Sequence, residues 1–179
     1  TFLTVLTNGT VIPDQKTLDR LANPKVILKI SEYKNPRQKI RELAGICEKN
    51  KITAQVVDTL EWQDCAGLSR HKRQKEENEA LLRTCVVRSC PSVVDGKLFF
   101  CPFAGNLYTL RAAPESYHEY VRLTDENIPA DETRRQINGL MRLKHLKACD
   151  FCGGRPVHGN SIPPAVQTEK PLGYRSYVF

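Results

Sequence analysis

No apolar run in this chain approaches the roughly 18 residues that a helix needs to cross a bilayer. The opening stretch, Thr1-Phe2-Leu3-Thr4-Val5-Leu6, is too short for a secretion signal and has no basic flank. The cysteine count, seven, is odd. Without an export signal, an odd count argues against a disulfide framework and points to a reducing, cytoplasmic setting where thiols stay available to metal. Internal repeats are lacking. Histidine is scarce: His71, His118, His145 and His158 fall in polar contexts, so a Ser-His-Asp or Cys-His hydrolase finds no support. An initial Met is also missing. The chain starts in the middle of a strand-like run, as expected of something cut from a longer protein.

What is present reads as an ordinary globular chain. It has 179 residues, 40% of them hydrophobic and 26% charged, enough for one sizeable core or two small ones. The formal charge of +7 favours anionic partners. Its densest basic run, Arg70-His71-Lys72-Arg73-Gln74-Lys75, is followed at once by Glu76, Glu77 and Glu79 and reads as a solvated helix face.

The first third alternates between strand and helix signals. Residues 1–6 read as a buried strand. Pro13-Asp14 opens a helix with Leu18 and Leu21 on one face, ended by Asn23-Pro24. Residues 25–31 form a second strand. Ile40, Leu43, Ala44 and Cys47 recur at helical spacing, and residues 52–60 form a third strand. Short links between alternating elements predict βαβ units and a parallel sheet, whose ligands sit at the C-terminal strand ends. Residues 67–84 read as a polar helical connector. Val93-Val94, Asp95-Gly96 and Leu98-Phe99-Phe100 predict a β-hairpin. Residues 103–128 carry little periodic signal. Asp131 is placed to cap a helix bearing Ile137, Leu140 and Met141, which delivers Cys149 and Cys152; the tail beyond is rich in Pro and Gly.

Five cysteines fall into two groups: Cys85, Cys90 and Cys101 around the hairpin, then Cys149 and Cys152 ahead of Gly153-Gly154. Four thiolates converging from distant segments make a sulfur site for zinc or an iron–sulfur cluster. Five candidates for four places leave one spare, or one ligand that changes. Cys101 is placed on the returning hairpin strand, within approach of either Cys85 or Cys90. Cys47 belongs to the apolar stripe of its helix and is read as core. Cys65 either lines the cleft or is an unliganded loop thiol.

Thr7-Asn8-Gly9-Thr10 with Pro13-Asp14 resembles the fourth strand and helix of radical S-adenosylmethionine (radical SAM) enzymes. Lys25 to Glu32 resembles their fifth strand and Ala54 to Trp62 their sixth. Cys85-x10-Gly96-x4-Cys101 followed by Cys149-x2-Cys152 is similar to the twitch, or shortened SPASM, domains appended to those barrels. Cys-Asp-Phe-Cys-Gly-Gly, then Ile162-Pro163-Pro164-Ala165 and Gln167, look like the end of bacterial members. The resemblance implies an α/β fold: the last three strands of a partial (β/α)6 barrel at residues 1–83, then a cysteine-rich iron–sulfur domain at 84–179. It implies an auxiliary 4Fe–4S cluster on cysteines drawn from Cys85, Cys90, Cys101, Cys149 and Cys152. Asn8, Ser31 and Asp58 would be the cofactor contacts, Ser31 towards the ribose or carboxylate of S-adenosylmethionine. The full-length activity implied is generation of a 5′-deoxyadenosyl radical that abstracts a hydrogen from a peptide, sugar or small molecule. An electron donor such as flavodoxin or ferredoxin is implied as partner, and no membrane. The family's Cys-x3-Cys-x2-Cys triplet does not occur here, so the chain is either the C-terminal piece of a longer enzyme or a degenerate relative without radical chemistry; by itself it is expected to be inactive and to expose a raw sheet edge at residues 2–6.

The rival class is a zinc-stapled, non-enzymatic module contacting nucleic acid. The charge supports it; the lack of a helix-turn-helix, an RNP-like aromatic pair or finger spacing argues against it.

Overall fold

The computed structural model describes residues 2–65, 67–88, 90–165 and 170; Gln167 lies outside them. The chain divides into two units. The first runs to Trp62 and takes the chain back at Ser161; the second spans Gln63–Asn160. Among the described residues no helix is long and apolar enough to cross a membrane.

The first unit is a parallel sheet with helices on one face. Strands β1 (Leu3–Thr7), β2 (Val26–Glu32) and β3 (Ala54–Asp58) lie in the order β1-β2-β3. Helix α1 (Gln15–Leu21) connects the first two and α2 (Ile40–Lys49) the second two. Asp14 starts α1: its carboxylate accepts the Thr17 N–H at 2.8 Å, satisfying a donor that the first turn leaves unpaired. Leu18 and Leu21 of α1 and Leu43 and Cys47 of α2 pack on Leu28 and Ile30 of β2. Each buried Leu or Ile contributes about 1.5–3 kcal/mol. The βαβ expectation therefore holds, and Cys47 is core.

In register, Val5, Leu28 and Ala54 share the helix-packed face, while Leu6, Lys29 and Gln55 share the other. β1 pairs with β2 alone among the described residues and carries exposed Leu3 and Leu6. Such an edge is open to pairing with another strand.

After β4 (Trp62–Gln63) the second unit begins, some 20 residues earlier than the expected boundary at 83/84. Residues 69–74 are not helical; α3 occupies Lys75–Thr84 only. The reason is packing: Leu82 of α3 joins a core with Phe99, Leu107, Leu146 and Phe151, all from the second unit. The hairpin forms as expected from β5 (Ser92–Val94) and β6 (Lys97–Phe99). Asp95 (φ 48°) and Gly96 (φ 70°) both take the left-handed conformation of a tight two-residue turn.

Two elements arise where periodicity was weak, α4 (Pro102–Thr109) and β7 (Tyr120–Arg122), the latter adding a third strand beside β6. Both are short. α4 buries Ala104, Gly105 and Leu107, residues too small or too few to make a stripe. Helix α5 (Ala130–Met141) has Pro129, not Asp131, at its cap; Asp131 falls in the first turn. The helix ends before the paired cysteines, which are carried instead by a 3-10 turn over Lys147–Phe151.

Candidate metal centre

Three separate stretches of the second unit bring sulfur to one place. Cys85 is the C-cap of α3, just past its last residue Thr84. Cys101 is the N-cap of α4 rather than a residue of the returning strand. Cys149 lies on the 3-10 turn and Cys152 just past it. All four line a single cavity of about 20 Å³, whose remaining wall is Arg88 and otherwise apolar residues, Leu81, Leu82, Ala104 and Leu146 among them. Cys90, the fifth candidate, is exposed and does not line it. Cys65 is half-buried in a loop.

The groups around the sulfurs suit anions. Backbone N–H groups of Ala104 and Phe103, at the start of α4, donate to the Cys101 sulfur. The Gly154 N–H donates to Cys152 Sγ at 3.3 Å, and the Leu146 backbone N–H donates to the Cys149 sulfur. Arg73 reaches across with one guanidinium nitrogen, donating to the Cys149 carbonyl at 2.7 Å and the Cys152 carbonyl at 3.0 Å. Its charge favours the Cys152 thiolate.

Arg73 belongs to the basic run read as a solvated helix face, and that reading is corrected here. Up to Gln74 the run is an irregular strap, with Lys72 in the left-handed region (φ 57°), tied to the cysteine turn. The Arg73 N–H donates to the buried Asp150 carboxylate at 2.7 Å, and the His71 N–H donates to the Asp150 carbonyl at 2.8 Å. Arg70 pairs with Asp150 at 3.5 Å and lies over the rings of Tyr117 and Phe151. Cys152 also forms a bridge to Leu68. Asp150, inside Cys-Asp-Phe-Cys, is thus the residue that sequence reasoning passed over; an acidic residue between two cysteines, opposite a basic run of matching length, was the available signal.

Against these favourable contacts stands crowding. Burial pushes the Cys149 thiol up to about 12, and the neighbouring charges of Cys152 and Cys101 add to the rise. Burial likewise raises Cys152 to about 11, with Cys101 and Cys85 contributing, and raises Cys101. Burial thus favours the thiol over the thiolate at Cys101, Cys149 and Cys152. The folded thiols lie above the 9.0 of an unperturbed cysteine, so the folded chain keeps protons that the unfolded chain sheds. The stabilisation is fully present below about pH 9 and is lost as pH rises towards about 11–12. Under reducing conditions, the metal-free chain is expected to show a lower urea midpoint at about pH 10.5 than at about pH 7.5. Serine at both 149 and 152 should flatten that dependence.

The four cysteines line one cavity. Among the described residues no group of three or more His, Cys, Asp or Glu side chains is arranged to hold a metal ion as it stands. A single zinc needs four donors about 2.0–2.3 Å from one centre.

The residues expected to touch S-adenosylmethionine all lie at the C-terminal end of the sheet in the first unit. Thr7 pairs with Ile30, Ser31 with Val57 and Glu32 with Asp58. Gln38 ties two of the strand ends together: its amide nitrogen donates to the carbonyls of Asn8 and Ser31, and its oxygen accepts the Tyr33 N–H at 2.7 Å. The Asn8 side-chain oxygen is engaged within its own turn, accepting from the Thr10 N–H at 3.2 Å and the Thr10 hydroxyl at 2.9 Å. Ser31 stands on the face away from the helices. Asp58 has the parity of Ile30, on the helix side, and is exposed. Asn8 and Ser31 thus lie at the ends of adjacent strands, their backbone carbonyls joined through Gln38, while Asp58 has the parity of the helix side. The chain matches no protein-family model, and no curated protein matches it.

Proposed function

We propose that the second unit holds an auxiliary 4Fe–4S cluster on Cys85, Cys101, Cys149 and Cys152, and that the chain is the later portion of a radical SAM enzyme. The observation carrying this reading is the shared cavity: four of the five candidate sulfurs, from three stretches up to 67 residues apart in sequence (85 to 152), line one apolar pocket. The donor set fits the group. Thiolate sulfur is the ligand class that iron–sulfur clusters use, and N–H groups aimed at the sulfurs offset the negative charge they carry when metal-bound.

When bound, such a cluster supplies a one-electron relay or a structural staple. The chain's own residues do the rest: Arg73 and Asp150 hold the cysteine turn in place, and the apolar wall excludes water. With all four cysteines on the metal centre, no position is left for substrate. In the first unit, the parallel sheet and the paired strand ends at Asn8 and Ser31 support the barrel portion of the reading. The reaction and the S-adenosylmethionine contacts rest on the resemblance.

Anaerobic reconstitution with ferrous iron and sulfide is expected to give brown protein with about four irons and about four sulfides per chain. Colourless protein carrying one zinc would overturn the assignment and favour the zinc-stapled rival. That rival also requires nucleic-acid affinity that falls steeply with salt.

A further inference from the structure

Among the described residues, Arg88 is the one charged residue that lines the sulfur cavity. The lining is apolar, so Arg88 turns its methylene stem to the cysteines and not its guanidinium. The guanidinium is held elsewhere. One of its nitrogens donates to the Arg83 carbonyl, in the last turn of α3, where a helix leaves carbonyls unpaired. The backbone beneath is fixed as well: the Arg88 N–H donates to the Cys85 carbonyl at 3.3 Å, and Val87 beside it is buried in the core.

The same side chain has an outer face. An open groove of about 380 Å³ is lined by exposed Arg83, Arg88 and Lys144 and by buried Leu82 and Phe100. Leu82 and Arg88 thus line both the cavity and the groove. They are not equivalent. Leu82 is 5% exposed and belongs to the core, where close packing resists movement. Arg88 is exposed, and exposed side chains change rotamer within nanoseconds. When its stem swings outward, the partition between groove and sulfurs goes with it.

We propose that Arg88 is the side chain that closes the sulfur cavity, and that the groove outside it is the route by which reagents reach Cys85, Cys101, Cys149 and Cys152. Arg83, Arg88 and Lys144 stand there against one carboxylate, Glu79. These charges make no binding site; they bias passage towards anions, so that sulfide or a thiolate-ligated iron complex enters more readily than bare ferrous ion. Access to the cavity is the same question whichever metal the cysteines take, so a metal-free test separates it from the cluster assignment.

The test is thiol modification of the reduced, metal-free full chain carrying Cys65→Ser and Cys90→Ser, which leaves the four cavity thiols and Cys47. The reagents are sulfonatoethyl methanethiosulfonate, an anion, and trimethylammonioethyl methanethiosulfonate, a cation. Mass spectrometry of peptides gives the rate at each cysteine, each divided by the rate of the same reagent with free cysteine. Arg88→Ala is expected to speed the cavity thiols by about tenfold with either reagent. Arg88→Met, which keeps an unbranched apolar stem, should recover most of the protection. The anion should react faster than the cation, and Lys144→Glu should shrink that preference by about threefold. Cys47, buried in the first unit, gauges general loosening and should keep its rate in every variant. Cavity rates unchanged by Arg88→Ala, no protection from Arg88→Met, an equal acceleration of Cys47, or a charge preference indifferent to Lys144→Glu would each overturn the proposal.

Discussion

Reconstituted Cys149→Ser protein is expected to retain less than about a tenth of the iron held by the unsubstituted chain, while Cys90→Ser retains all of it. Serine keeps the size of the side chain and removes the soft thiolate. Its hydroxyl does not ionise in a buried setting where even a thiol rises to about 12. The three remaining sulfurs then share a cavity with one uncoordinated corner, and the wall offers no substitute: Leu81, Leu82, Ala104 and Leu146 have no donor atoms. Cys85→Ser, Cys101→Ser and Cys152→Ser should behave alike, since all four sulfurs line the same space. Cys90 is exposed and outside it, and Cys47 is buried in the first unit with Leu43 and Ile30. Cys47→Ser should lower stability without touching iron. Iron and sulfide per chain after gel filtration, with the visible absorption of the cluster, read all six variants. A Cys90→Ser protein as poor in iron as Cys149→Ser, or a Cys85→Ser protein with full iron, would show that the ligand set has been drawn wrongly.

The four sulfurs were legible as a group because cysteine is rare and its chemistry specific; their supports were not. Cys85 and Cys90 could not be told apart from spacing, because both precede the same hairpin. What separates them is a helix end: Cys85 caps α3, while Cys90 lies beyond the following turn. The parallel sheet was readable because each of its helices carries an apolar stripe and each strand an apolar run, and those patterns encode burial directly. Asp14 at the start of α1 was readable for the same local reason. The strap at residues 70–73 was hidden because its partners lie 77 to 80 residues away, at Asp150. A run of positive charge looks the same whether water or a buried carboxylate answers it. α4 and β7 were missed because eight and three residues are too few to establish a period. The Gln38 side chain that joins the ends of β1 and β2 gave no signal at all, since glutamine in a loop is ordinarily solvated.

Gly154→Ala is expected to destabilise the second unit by about 2–5 kcal/mol and to lower iron retention with it. Two separate terms make up that figure. Gly154 has φ +74°, a conformation that costs an L side chain about 1–2 kcal/mol. A methyl group there would also stand 2.7 Å from Leu81 Cδ1 and 3.2 Å from its Cγ, and overpacking of this kind costs about 1–3 kcal/mol. Because the Gly154 N–H donates to Cys152 Sγ, a backbone shift that relieves the clash moves a donor off the sulfur, whereas a shift of the Leu81 side chain does not. Gly139→Ala is the matched control. It lies within α5 with nothing near the added methyl, and should stabilise by about 0.5–1 kcal/mol through helix propensity. Leu81→Ala separates the two terms: in that background Gly154→Ala should cost only its backbone share, giving a favourable coupling of about 1 kcal/mol or more in a double-mutant cycle. Urea unfolding of the metal-free chain measures all of these. Additive losses in the double variant would mean that the glycine is needed for its backbone angle alone and that Leu81 does not press on the cysteine turn.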